Sequence, residues 1–205
     1  MSTLWQRVAR AGAGDDYASV YAARFRRLAD EGADVDGEAR FVFSLVPPPA
    51  RVLDAGCGTG RIAMRLHYLG YDVVGCDVDP AMIRVAEQEA PELAWQVADL
   101  ATLDLGSRHD LVLLAGNVIP LLEPGTLAGT CVRLAAHVED GGTLLAGFGL
   151  DAEHLPAGAP VVPLDEVDDA MAAAGLAVRD RWATWDSEPF VAGGGYAITA
   201  WGSHT

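Results

Sequence analysis

The sequence predicts an α/β fold of three layers, with helices on both faces of a mostly parallel sheet, and three observations predict it. From residue 50 onward, short apolar, strand-prone runs alternate with segments of helical periodicity. One of those runs, Arg51-Val52-Leu53-Asp54-Ala55, breaks into Gly56-Cys57-Gly58-Thr59-Gly60 and enters a helix at Arg61. The run His109–Asn117 is almost continuously apolar, as expected of a strand covered on both faces.

Taken in order, residues 1–14 are polar and Gly/Ala-rich and read as a partly mobile lead-in. Tyr17, Val20, Tyr21, Arg24, Phe25 and Leu28 then fall at helical spacing, so a helix is expected from Asp16 to about Leu28. A loop at 32–37 precedes a second helix through Phe41, Val42, Leu45 and Val46, which Pro47-Pro48-Pro49 stops. Residues 1–49 are thus a helical lead-in, too small to be a domain, and residues 50–205 are the ligand-binding body of one compact domain.

The first strand and its glycine loop lead to the helix of Ile62, Ala63, Met64, Leu66 and Leu69. The second strand ends at Asp77, 17 residues beyond Gly60, a gap that holds one helix and a return strand. Asp79 before Pro80 caps the next helix, which Pro91 ends. Residues 93–100 form a third strand, 109–117 a fourth and 143–148 a fifth, with Gly141-Gly142 as a turn before the last of these. Thr126 caps a helix between the fourth and fifth strands, and Pro163 opens another that Gly175 closes. Leu176–Trp185 and Gly195–Trp201 leave no room for a helix between them and pair as an antiparallel hairpin. The count is seven strands, all parallel but the last.

Composition narrows the function. The formal net charge is -15, and all 14 basic residues are arginines. Binding to a phosphate backbone runs on Lys and Arg contacts, so a nucleic-acid partner is not expected. No run approaches the roughly 20 apolar residues of a membrane helix, and the first ten residues carry no signal-peptide core. Cys57, Cys76 and Cys131 are odd in number and widely spaced, which fits reduced thiols in the cytoplasm. The histidines (67, 109, 137, 154 and 204) form no ligand pair, and no metal is expected.

The glycine loop carries the chemistry. Glycine lets backbone approach a ligand, and a helix N-terminus adds free N–H donors. The dinucleotide pattern G-x-G-x-x-G would put its third glycine at position 61, which is Arg61. A carboxylate, Asp54, stands ahead of the first glycine and suits a cationic ligand better than a pyrophosphate. No Gly-Lys-Ser/Thr follows, which excludes a P-loop. Asp54-Ala55-Gly56-Cys57-Gly58-Thr59-Gly60 resembles the S-adenosylmethionine motif of class I methyltransferases, and the alternation closed by a hairpin over residues 50–202 is similar to their arrangement.

The resemblance implies S-adenosylmethionine as cofactor, S-adenosylhomocysteine as product, and a small-molecule methyl acceptor. It places Asp54, Ala55, Gly56, Cys57, Gly58, Gly60 and Arg61 around the cofactor's methionine end. Asp77, followed by Val78, accepts from the ribose hydroxyls, or else caps the following helix. Asp99, beside Leu100, accepts from the adenine amino group, or else is a loop acid. Ala115, Gly116 and Asn117 border the crevice at a strand's carboxyl end. The Asn-Pro-Pro-Tyr signature of nucleic-acid amino-methyltransferases is absent after Asn117.

On the acceptor side the candidates are Tyr17, Tyr21, Asn117 and His154, the last either a base or an exposed loop residue. Tyr17 and Tyr21 share a helical face; they are either a lid over the cofactor, with Tyr17 nearer to it, or a core-facing stripe. Two other functions fit less of the sequence: a non-catalytic S-adenosylmethionine-binding protein and a nucleotide-cofactor oxidoreductase.

Overall fold

The structure is a computed structural model and describes residues 2–203. Met1, His204 and Thr205 lie outside the described residues, and with them the histidine expectation at position 204. Three helices come first: α1 (Leu4–Ala13), α2 (Tyr17–Asp30) and α3 (Gly37–Leu45). Then strands and helices alternate: β1 (Arg51–Ala55), α4 (Arg61–Tyr68), β2 (Asp72–Asp77), α5 (Pro80–Glu89), β3 (Ala94–Val97) and β4 (His109–Leu114). After a short 3-10 turn at Ile119–Leu121 come α6 (Leu127–Ala136), β5 (Val138–Gly149), α7 (Leu164–Ala173), β6 (Leu176–Trp182) and β7 (Tyr196–Ser203).

The seven strands form one sheet in the order β3-β2-β1-β4-β5-β7-β6. Pairings among β1 to β5 are parallel, and β7 runs antiparallel to both β5 and β6. β1 is therefore central, and its carboxyl end opens where the chain's path across the sheet reverses direction, between β1 and β4.

Alternate side chains along a strand reach opposite faces, so each central strand feeds two cores. Leu53, Val112 and Leu114 pack with Leu134 of α6 and Met171 of α7. Val52, Leu111 and Leu113 pack on the other face with Phe41 of α3 and Ile62 and Leu66 of α4. Full burial of each such leucine contributes roughly 1.5–3 kcal/mol.

Two expectations are corrected. The lead-in begins with a helix, α1, because Thr3 and Gln6 form a reciprocal capping box at its start. The Gly141-Gly142 pair is no turn before a strand: β5 already runs from Val138, and the register slips between His109 and Leu111. His109 faces Val138 and Leu111 faces Thr143, so β5 takes up three extra residues as a bulge, with Gly141 at φ 81°.

Candidate cofactor site

β1 delivers the acid and the glycines to one place. Asp54 is the fourth residue of the strand, and the chain leaves the sheet immediately after it. Gly56, Gly58 and Gly60 all have positive φ (84°, 57° and 82°), a region that L side chains resist. The loop is pinned to β2, with Gly56 and Cys57 donating N–H bonds to the Cys76 carbonyl at 2.8 and 2.9 Å. Asp77 at the end of β2 holds it from the other side. Its two oxygens accept from Gly58 N at 2.9 Å and from Asp79 N at 2.9 Å.

A cleft of about 1010 Å³, counting its open mouth, lies over this edge. Its floor includes Asp54, Gly56, Cys57, Gly58, Arg61, Asp77 and Val78. Asp99, Leu100, Ala115 and Gly116 line it from the ends of β3 and β4. Its roof is Trp5 of α1 and Tyr21 of α2, whose rings meet edge to face at 6.3 Å. Thr3, Val118, Leu121, Leu122 and Glu123 complete the wall on the side of the 3-10 turn.

The electrostatics of the floor are unusual. Asp54 is 2% exposed, and its Oδ2 has no hydrogen-bond partner among the described residues. Burial raises its carboxyl to about 7, opposed by the Arg61 charge and the Ala63 N–H. Burial likewise raises Asp77 to about 6, opposed by the backbone donors of Asp79 and Gly58. Arg61 is held in a fork by Glu38 at 2.7 and 3.1 Å, lies over the Phe25 ring with its guanidinium carbon 4.6 Å from the centroid, and also donates to the Val35 carbonyl. A buried carboxylate oxygen left without a donor is costly unless a ligand supplies one.

The acceptor-side expectations fare differently. Tyr17 is the buried ring, 3% exposed, and its hydroxyl donates to Asp79; Tyr21 is the one on the cleft, above Gly58. This reverses the expected order, because Asp79 draws Tyr17 inward. Asp79 also caps α5 through Ala81 N at 2.9 Å, as the spacing before Pro80 predicts. Asn117 is off the wall. Its amide, at φ 67°, accepts from Gly149 N at 2.7 Å and donates to the His154 carbonyl at 3.2 Å, tying the β4 loop to β5. His154 is exposed and paired with Asp151 at 2.7 Å, away from the cleft.

Two expected cofactor residues also stand behind the wall. Ala55 is fully buried in the core, and Gly60 serves packing: a Cβ there would meet the Trp95 ring at 2.4 Å. Gly56 is required for a further reason, since its Cβ would meet Val118 at 2.6 Å. The wall residues that sequence reasoning passed over are chiefly Thr3, Trp5, Met82, Val118, Leu122 and Glu123. The Thr3-Leu4-Trp5-Gln6 capping box was the available signal for the first two; nothing local marks the rest.

The fold and this cleft define a class I, Rossmann-like methyltransferase architecture. The chain belongs to the S-adenosylmethionine-dependent methyltransferases, the family whose cofactor is S-adenosylmethionine. It is similar to a TehB-like SAM-dependent methyltransferase from Corynebacterium glutamicum, with 33% identity, a TM-score of 0.82 and 92% and 98% of the two chains covered. A family model described as a methyltransferase domain matches residues 52–142. A ribosomal protein L11 methyltransferase from Symbiobacterium thermophilum is 31% identical over 52% of this chain and 34% of its own. A trans-aconitate 2-methyltransferase from Methylobacterium nodulans is 34% identical over 60% of this chain and 47% of its own. The chain therefore spans about a third to a half of these curated relatives. No helix of the described residues is long and apolar enough to cross a membrane.

Proposed function

We propose that the chain transfers a methyl group from S-adenosylmethionine to a small-molecule acceptor, as a cytoplasmic enzyme. The observation that carries the cofactor reading is Asp54, which lines the cleft and whose buried Oδ2 has no hydrogen-bond partner among the described residues. The cofactor's ammonium group suits that position, and the residues present fit the group. When bound, it supplies a methyl carbon already activated by a positive sulfur. The protein's share is then alignment and exclusion of water.

In this reading Gly56, Cys57 and Gly58 present backbone to the methionine end, with Arg61 beside them. Asp77 holds the ribose, Val78 and Leu100 flank the adenine, and Asp99 accepts from its amino group. Ala115 and Gly116 border the reacting region. The helices α1 and α2 roof the cleft as a lid, with Tyr21 facing in. The relatives' names range from a ribosomal protein to a small tricarboxylic acid, so they support the cofactor and leave the acceptor to this chain's own cleft. Its cysteines, all unpaired, suit a reducing compartment.

Calorimetry with S-adenosylmethionine and S-adenosylhomocysteine tests the cofactor reading. Asp77→Ala should weaken binding by about 1.5–3 kcal/mol, the range for a charge-assisted hydrogen bond. Unchanged affinity in a folded variant would assign Asp77 to loop support alone, through Gly58 and Asp79.

A further inference from the structure

Resting on that cofactor reading, we propose that the cofactor loads by exchange with a proton. The ligand-free protein holds Asp54 as a neutral carboxyl, Asp54 gives up that proton as the cofactor's ammonium enters, and acidity therefore drives the cofactor out. Asp54 is 2% exposed, and its Oδ2 meets no hydrogen-bond donor among the described residues. The groups that face it are few. From α4 come the Arg61 charge and the Ala63 N–H, from α3 Glu38, and from the end of β2 Asp77. Cys57 of the glycine loop and Cys76 of β2 lie in its field as neutral thiols, and Tyr21 of α2 shares the cleft from above. On the β4 side the residue opposite it is the apolar Leu113. Arg61 is the one cation of this set, and it is already engaged. Glu38 takes it in a fork at 2.7 and 3.1 Å, and the Val35 carbonyl accepts a further N–H.

An ionised carboxylate in that position lacks both a donor for one oxygen and a free countercharge, and desolvation then favours the neutral form. A second acid, Asp77, stands on the neighbouring strand and adds repulsion between like charges. Burial raises Asp54 to about 7 and Asp77 to about 6, the order their surroundings dictate. Asp77 keeps two backbone donors, Gly58 N and Asp79 N, each at 2.9 Å. Its charged neighbour is Asp79, with Tyr17 and Tyr21 at longer range.

An ammonium beside Asp54 provides what this carboxyl lacks, an N–H donor that carries positive charge. The ionised form is then favoured, and one O–H proton passes to water or buffer. The ligand-free form is the one that binds the extra proton. Affinity is therefore complete above about pH 7 and falls as pH drops through that value. Asp77 adds a smaller loss nearer pH 6, since ribose hydroxyls bond best to its ionised form. S-adenosylhomocysteine carries the same ammonium, so the exchange governs product release as well as cofactor loading.

Calorimetry of S-adenosylhomocysteine binding to the wild-type protein, run in phosphate and in imidazole, counts the protons released, because the two buffers differ in heat of ionisation. Release should be about one proton per site at about pH 6.5 and about a quarter at about pH 7.5. Affinity should fall about tenfold from about pH 7.5 to about pH 6. Asp54→Asn should cut the release at about pH 6.5 to about a quarter of a proton, the share of Asp77, and reduce the fall in affinity to about twofold. Methylthioadenosine, which keeps adenine and ribose and lacks the ammonium, makes the same comparison on the unaltered protein, and it too should release about a quarter of a proton or less. Release below about 0.3 proton with S-adenosylhomocysteine at about pH 6.5, or equal release from Asp54→Asn or with methylthioadenosine, overturns the exchange and leaves the cofactor reading standing. Failure of S-adenosylhomocysteine to bind anywhere from about pH 6 to about pH 8 overturns both.

Discussion

Asp54 concentrates the site's physics in one side chain. Its folded carboxyl titrates at about 7, against an ordinary value of about 3.9. A raised carboxyl binds its proton more tightly folded than unfolded, so its stabilisation is complete below the ordinary value and is lost as pH rises through about 7. The share of the ligand-free protein's stability that Asp54 carries should therefore fall across that window, by a few kcal/mol at most. Asp54→Asn, which cannot ionise, should flatten the fall, while an unchanged slope would move its origin elsewhere. A second residue-scale effect is steric. Gly75 has ordinary φ, yet a Cβ there would meet the Trp95 ring at 2.4 Å, and the same ring presses on Gly60. Trp95 is anchored by its Nε1 donating to the Ala90 carbonyl at 2.8 Å, so it cannot swing away freely. Gly75→Ala should cost about 1–3 kcal/mol in denaturant unfolding, as overpacking of a filled site does.

At the scale of elements, one carboxylate ties both roof helices to α5. Asp79 caps α5, accepts Trp5 Nε1 of α1 at 3.1 Å, and accepts the Tyr17 hydroxyl of α2. α1 has no fully buried residue of its own, so these bonds and the contact of its Leu4 N–H with Glu123 position it. Tyr17→Phe should destabilise the protein by about 1–3 kcal/mol, the cost of a lost bond to a buried charged acceptor. Hydrogen exchange should quicken in α1 and α2 while the sheet stays protected; uniform loosening of sheet and roof would refute a local latch. α2 was legible because Tyr17, Tyr21, Phe25 and Leu28 repeat at helical spacing. α1 escaped the reading although Leu4, Trp5, Val8 and Ala9 repeat at helical spacing, because that stripe covers barely two turns before a Gly/Ala-rich end and its capping box is only four residues long. Which tyrosine faces the ligand depends on Asp79, 62 residues further on, and no local pattern carries that.

For the whole molecule, the acid limb of stability should have a source far from the cleft. His109 opens β4, is 3% exposed, and its Nδ1 has no partner among the described residues. Burial lowers its pKa, opposed by a hydrogen bond to the His137 backbone and aided by the nearby His137 and Arg51 charges. A histidine held neutral contributes stability that is present above its ordinary value of about 6.5 and is lost as pH falls through the folded value. His109 thus subtracts from thermal stability below about pH 6.5, against the gain that Asp54 contributes as pH falls from about 7, so the melting temperature of His109→Leu relative to wild type should rise as pH falls below about 6.5. The readout is the slope with pH, which a simple packing defect would leave unchanged.

The sequence by itself determined the alternation of strands and helices, the antiparallel last strand, the glycine loop behind an acid, and the acids at the ends of β2 and β3. Each of these is written in contiguous residues: apolar periodicity, glycines at alternate positions, an acid that closes a short apolar run. Only the tertiary structure decided that Gly60 yields to Trp95, that Asn117 and His154 turn away from the cleft, that Tyr21 and not Tyr17 faces it, and that Arg61 is neutralised by Glu38. Those outcomes depend on which distant side chain reaches a given atom first. Packing and pairing between remote segments settle that, and no spacing along one segment encodes it.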